Sequence, residues 1–358
     1  LRNYLPALDG LRAAAVLAVF TSHGTYGRVH GGFIGVEMFF VLSGYLITTL
    51  LLDEYLRERR ISIRKFYLRR AARLLPALGL VTILVLALYA SDPALMPTSA
   101  VLSSIPKVWL YVGNWFAASD FGQLGLLGHT WSLAIEEQFY LLWPLALAFT
   151  LGREISVLQI IGVLVGLVVL SYLASFLVAR ENIEAAYYSS HTRAGPLLIG
   201  CALALALTLP GLRSVATVLS GRGAALGAVT VLSFALALLL PKLLPTYAGG
   251  LFIVAIATAV LIAHIVLHKS TLTQRLGQPV AVWIGKRSYG LYLYHFPIFT
   301  YVTDVRLGIP SATGHVVEFM LRVGLTFGLA AVSYRFVEKP VLDRTRVFTI
   351  PPSVVTAP

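Results

Sequence analysis

A chain of 358 residues that is 58% hydrophobic and only 12% charged lies outside the range of soluble domains, where about a quarter of residues are charged. Its formal charge of +12 could suggest a nucleic-acid partner, but most of the Lys and Arg flank apolar stretches on one side, so the basicity reads as topogenic. One cysteine, Cys201, sits in an apolar stretch and excludes an internal disulfide.

Ten stretches approach the ~20 residues that cross a bilayer: 5–22, 33–52, 74–90, 130–151, 155–178, 195–210, 222–241, 247–267, 286–303 and 316–336. The weaker stretch 101–117 carries Pro106, Lys107 and Asn114 and reads as re-entrant or interfacial. The expected architecture is an all-α polytopic membrane bundle of about ten helices. Residues 1–340 form one membrane domain, 341–358 a short cytoplasmic tail, and no soluble domain is expected. Asp9 and Arg12 interrupt the first stretch, so it is not a cleaved signal peptide. With the N-terminus inside, Arg28, Lys107, Arg180, Arg193, Lys242 and Arg306 fall outside, and Arg12 and Arg322 fall within the membrane. The other Lys and Arg fall inside, which predicts a cell-membrane protein with both termini cytoplasmic.

In the first helix, Arg12 and His23 are eleven residues apart, ~20° from eclipsed and separated by a rise of ~16 Å. Ionisable groups on one stripe of a membrane helix mark a pathway or a site unless they merely reach the two interfaces. Glu37 in the second helix needs a partner, and Arg12 on its neighbour is one candidate. The run ahead of the third stretch contains Arg69, Arg70 and Arg73. Arg70 and Arg73 share a helical face and suit phosphate, as anionic lipid or as a soluble polyphosphate such as coenzyme A or a nucleotide.

The fourth helix places His129, Ser132, Glu136 and Tyr140 on one polar stripe. At least one of the adjacent Glu136 and Glu137 should face a protein-lined cavity. His264 and His268 are four apart but lack an evident third ligand, and no metal site is expected. In the ninth helix Ser288, Tyr292 and His295 again share a face, and Glu318 and Arg322 read as an internal ion pair. No Walker or Rossmann loop and no Gly-x-Ser-x-Gly elbow occurs, and serines such as Ser43 lack a recognisable nucleophile setting.

Six strings in order resemble the acyltransferase-3 family: Leu8-Asp-Gly-Leu-Arg-Ala-Ala-Ala-Val with His23 downstream, Gly31-Gly-Phe-Ile-Gly-Val-Glu-Met-Phe-Phe-Val-Leu-Ser-Gly-Tyr-Leu-Ile-Thr, Phe66-Tyr-Leu-Arg-Arg-Ala-Ala-Arg-Leu-Leu-Pro, His129-Thr-Trp-Ser-Leu-Ala-Ile-Glu-Glu-Gln-Phe-Tyr, Ser288-Tyr-Gly-Leu-Tyr-Leu-Tyr-His-Phe-Pro and Phe336-Val-Glu-Lys-Pro. Members are multi-pass membrane enzymes that move acyl groups, often acetyl, from acyl-CoA to hydroxyls. The resemblance implies that His23 is the essential histidine, that Arg12 is its required partner, and that Arg70 and Arg73 form the Arg-x-x-Arg motif near acyl-CoA, with Arg69 beside them. Glu37 stands where an aspartate is common in the family.

The chemistry expected is direct transfer without a covalent intermediate or a tightly bound cofactor. His23 removes the proton of the acceptor hydroxyl, Arg12 or a backbone N–H holds the oxyanion, and Glu136 binds the acceptor or tunes His23. Asp9, Glu37, Ser43, His129, Glu137, Tyr292 and His295 are the supporting candidates. Acetyl-CoA is the expected donor. The acceptor class is a carbohydrate or a glycosylated small molecule such as a macrolide. A continuous cavity should then run from Arg70 past Arg12 to His23. The competing class is a proton- or anion-coupled transporter, which would also use intramembrane Arg, Glu and His.

Overall fold

Apolar runs with few breakers leave this chain one way to satisfy its backbone in lipid, which is helix. In the computed structural model, residues 4–24, 29–95, 97–238, 243–309 and 312–349 are described, and no strand occurs among them. Arg28, Lys242 and the tail beyond residue 349 lie outside the described residues.

The chain begins with α1 (Pro6–Gly24), α2 (Ile34–Glu58) and α3 (Ile63–Ser91). The expected 101–117 element is α4 (Thr98–Trp109) and α5 (Gly113–Ser119), with Tyr111 at φ 53° between them. Neither piece is long enough to cross a bilayer, which agrees with the re-entrant or interfacial reading. Then come α6 (Trp131–Gly152), α7 (Val157–Glu181), α8 (Ile183–Tyr188), α9 (Ser190–Arg193) and α10 (Gly195–Ala206). The chain continues through α11 (Pro210–Leu219), α12 (Arg222–Leu238), α13 (Leu251–Leu267), α14 (Thr271–Leu276) and α15 (Pro279–Lys286). It closes with α16 (Ser288–Tyr301), α17 (Ala312–Ser333) and α18 (Lys339–Thr349).

Helices lie at all ten expected positions, in an all-α polytopic membrane fold. Among the described residues, five helical spans are long and apolar enough to cross a membrane on their own: His30–Glu58, Ile63–Ser91, Val157–Glu181, Thr246–Leu267 and Gly314–Thr345. The expected span 195–210 is corrected. It stops at Ala206, and α11 leaves at 118° after Pro210 opens a new helix. The lipid-facing character of α7 shows in its side chains, with Leu158, Val163, Val169 and Leu170 all exposed.

Close helix contact fixes the centre of the bundle. A Cβ at Gly44 would lie 1.9 Å from the Leu197 carbonyl oxygen, and one at Gly200 would lie 2.1 Å from that of Val41. Only glycine lets α2 and α10 approach this closely, as at small-residue crossings in membranes generally. The basic turn 59–62, the start of α1 and α14 share one end of the bundle, since Gly10 meets the Leu276 backbone and Arg12 lines one cavity with Phe66 and Arg69, just past that turn. We call this the basic end.

Candidate active site

The polar side chains singled out above gather in the middle of the bundle but divide between two chambers. The chamber nearer the basic end is a cavity of about 550 Å³ lined by Arg12, Ser43, Arg70, Arg73, Glu136 and Tyr292, among others. It adjoins a mouth that shares Arg12, Ser43, Arg70, Arg73 and Tyr140 with it and adds Arg69 and Phe66. The second chamber, of about 770 Å³, holds His23, His129, Ser22 and Glu184 among Phe33, Phe121, Trp131, Tyr187, Tyr188, Tyr247 and Phe296. Val36 and Tyr292 line both chambers and form the waist between them.

Helix periodicity places each group. The i, i+3 spacing of Arg70 and Arg73 turns both guanidiniums into the inner chamber. Arg70 pairs with Glu137 at 2.5 Å and its guanidinium lies 3.7 Å above the Tyr140 ring. Arg69 pairs with Glu54 at 3.5 Å, and Glu54 also accepts the Ser62 N–H. Arg73 has no carboxylate within ion-pairing distance among the described residues. Three of the four arginines here are ion-paired, Arg70 with Glu137, Arg69 with Glu54 and Arg12 with Asp9, so among the described residues Arg73 is the arginine of this region that keeps its charge free for a ligand. Ser43 Oγ donates to Glu136 at 2.5 Å, holding that carboxyl against the α2 wall.

The expected stripe is split by the waist, with Ser132, Glu136 and Tyr140 of α6 on the inner side and His129, in the 3-10 turn just before α6, on the outer. At the waist Tyr292 Oη donates to the His129 carbonyl at 2.8 Å, so the 2.6 Å contact with Ser132 has the serine as donor. His129 is buried, and neither of its ring nitrogens meets hydrogen-bond geometry with a partner among the described residues. An orphaned buried imidazole on a cavity wall is an open place for a ligand atom.

Three expectations are corrected here. Glu37 does not pair with Arg12. Its partner is Arg193 at 2.8 Å, with both side chains 1% exposed. Arg193, counted among the outside charges, is buried in the bundle, where its guanidinium sits 5.1 Å over Tyr187 in the wall of the outer chamber. Arg12 does not reach the oxyanion expected at His23 either. The ~16 Å rise that keeps both on one stripe also puts them in different chambers, and Arg12 faces the inner arginines with Asp9 at 3.9 Å. Third, Glu136 stays on the inner side of the waist, and the ring next to His23 is His295, not a carboxylate.

One other expectation holds in the geometry. Glu318 and Arg322 form an ion pair, and Glu318 also accepts the Asp304 N–H at 3.0 Å. His264 is engaged at both nitrogens, by the Ser220 carbonyl and Ser270 Oγ, each at 2.8 Å. A group absent from the sequence reading is Asp304, His315 and Glu318, whose ligand-type atoms lie within 4.8 Å of one another. Also missed were Arg193 and the aromatic wall. The one available signal was position: Arg193 stands just before Gly195 and Pro196 open an apolar helix, close enough to dip into the bundle.

The acyltransferase-domain family profile matches residues 5–335, nearly the whole chain. The chain belongs to this family. It is 37% identical to the peptidoglycan O-acetyltransferase OatA of Listeria monocytogenes over 95% of its length and 56% of the relative's. It is 36% identical to the putative peptidoglycan O-acetyltransferase YrhL of Bacillus subtilis over 97% of its length and 56% of the relative's. With the O-acetyltransferase OatA of Staphylococcus aureus it shares 35% identity over 95% of its length and 57% of the relative's. The chain thus spans a little over half the length of these relatives. No solved structure matches it.

Proposed function

We propose that this chain is a membrane O-acyltransferase that takes an acetyl group from acetyl-CoA at its basic end and delivers it to a carbohydrate hydroxyl in the outer chamber. The observation that carries this reading is the serial arrangement of the two chambers. Arginines of a kind suited to phosphate open into one and an accessible histidine into the other, with one waist between them. The α1 rise of ~16 Å is of the order of an extended pantetheine arm. Phosphates held by Arg69, Arg70, Arg73 and Arg12 would present the thioester at the waist. Bidentate guanidinium contacts suit such a polyanion.

In the outer chamber His23 takes the hydroxyl proton as the acceptor oxygen bonds to the thioester carbon. The resulting oxyanion collapses, the C–S bond breaks, and the leaving thiolate takes the proton from the imidazolium. Base catalysis of this kind contributes ~10²–10⁴-fold. His129, whose ring nitrogens meet hydrogen-bond geometry with no partner among the described residues, offers its N–H to the oxyanion, a role that Arg12 is too distant to fill. The aromatic wall suits the apolar faces of a sugar ring. The relatives' names point to peptidoglycan, and a glycosylated small molecule such as a macrolide fits the same chemistry. The basic end faces the cytoplasm, where acyl-CoA and anionic lipid are found, and both chain termini lie on that side of the cell membrane.

The test is an assay of the protein in nanodiscs with radiolabelled acetyl-CoA and either soluble peptidoglycan fragments or a macrolide glycoside, with products read by mass spectrometry. An O-acetyl sugar should form, and His23→Ala should lose at least ~10²-fold in turnover while still binding CoA. Near-normal turnover in a folded His23→Ala protein would sink the base assignment.

A further inference from the structure

His23 is in contact with a second histidine that the mechanism above does not use. His295 is fully buried. Its ring stacks on Phe20 at 5.2 Å and meets the edge of Phe299 at 5.8 Å, so it has no freedom to turn. Its Nδ1 lies 2.5 Å from the Tyr292 carbonyl oxygen, and its Nε2 lies 3.3 Å from His23 Nδ1.

These contacts, beside the hydrogen bond that His23 also makes to the Val19 backbone, indicate where the protons are. A carbonyl oxygen only accepts, so the hydrogen of that contact belongs to His295 Nδ1. A neutral imidazole carries one N–H, which leaves His295 Nε2 as a bare lone pair. Two lone pairs cannot face each other at hydrogen-bond distance, so His23 Nδ1 supplies the proton between them. His23 has then spent its only N–H, and its Nε2 is unprotonated. His23 lines the outer chamber and meets Phe296, another residue of that chamber's lining, edge-on at 5.5 Å.

We propose that His295 is a positioning residue that holds His23 in the Nδ1–H tautomer and so keeps Nε2 as the basic nitrogen. In free imidazole side chains the opposite tautomer, with Nε2–H, is preferred in water, and in that form the nitrogen not turned to His295 would be capped. The second nitrogen of a working histidine is commonly set by its hydrogen-bond partner. Here that partner is a neutral imidazole, itself fixed by a backbone carbonyl. When His23 takes up the acceptor proton, its Nδ1–H keeps donating to the His295 lone pair, which stabilises the imidazolium. The proton then leaves from Nε2 to the departing thiolate, and His295 never changes its protonation.

The inference rests on His23 being the base, and its test separates the two claims. Protein labelled with ¹⁵N in histidine and placed in nanodiscs is read by solid-state NMR, with the His23 signals assigned by their loss in His23→Gln. Wild type should show His23 Nδ1 protonated and Nε2 bare. His295→Phe keeps a stacking ring but offers no acceptor. It should move His23 toward Nε2–H and lower kcat at least ~10-fold, within the range general-base catalysis supplies, with CoA affinity unchanged. His295→Gln can present an oxygen to His23 and should recover part of both effects. A wild-type spectrum with Nε2–H on His23 would overturn the proposal whether or not the variants fold. So would a His295→Phe protein with an unaltered tautomer and kcat. Full turnover in His23→Gln, with the tautomer as expected, would instead remove the base assignment and the positioning role with it.

Discussion

Arg70 and Arg73 face the same chamber but differ in what they leave behind when removed. Arg70 already neutralises Glu137 and packs on Tyr140, whereas Arg73 pairs with no carboxylate among the described residues. Arg73→Ala should therefore weaken CoA binding with little loss of stability. A charge-assisted hydrogen bond of ~1.5–3 kcal/mol corresponds to a ~10–10²-fold rise in Kd. Arg73→Lys should recover only part, because Lys lacks the planar fork. Titration calorimetry showing unchanged affinity in Arg73→Ala would leave that residue a topological role. The Glu37–Arg193 pair predicts a different pattern. Arg193→Met strands a buried carboxylate and should cost ~3–5 kcal/mol, while Glu37→Met with Arg193→Leu removes both charges and should recover most of it. Thermal melts of the three proteins decide this, and a double variant no better than the single one would count against pairing as the reason. The sequence showed that Glu37 needed a partner but not which one. Periodicity relates residues along one helix, and Arg193 reaches Glu37 only after the chain has crossed the bundle several more times.

At the scale of elements, the α2–α10 crossing carries the inner chamber wall, since Ser43 and Gly44 are adjacent on α2. Gly→Ala inside a helix gains up to ~1 kcal/mol of propensity. At Gly44 the new methyl would meet the Leu197 backbone at 1.9 Å, and backbone cannot give as a flexible side chain can. Gly44→Ala should therefore destabilise by ~1–3 kcal/mol, as overpacking does. Gly162→Ala on α7, with nothing within 4 Å of its Cβ, should be neutral or slightly stabilising. Equal melting temperatures for the two variants would refute the close-contact account. The positions of the helices were legible because apolar length is a local property of the chain. The break at residues 207–209 was not, since the apolar composition of 195–210 continues across it. The angle was decided by Pro210 starting a new helix.

For the whole molecule, the orientation proposed above makes a direct prediction. In a Cys201→Ser background, Asn182→Cys, exposed at the end of α7, should react with an impermeant maleimide from outside the cell. Arg60→Cys in the basic turn should not. Labelling of position 60 from outside would invert the protein and remove the cytoplasmic route for the donor.

The sequence by itself determined the all-α membrane class, the helix positions and the Arg12–His23 and Arg70–Arg73 stripes. Each follows from hydropathy and a 3.6-residue period, which act over short separations. Only the tertiary structure decided that Arg12 and His23 occupy different chambers, that Val36 and Tyr292 form the waist between them, and that His295 reaches His23. Those relations depend on how helices far apart in sequence cross. The crossings are set by contacts such as Gly44 on Leu197 and Gly10 on Leu276, whose partners no local pattern in the chain specifies.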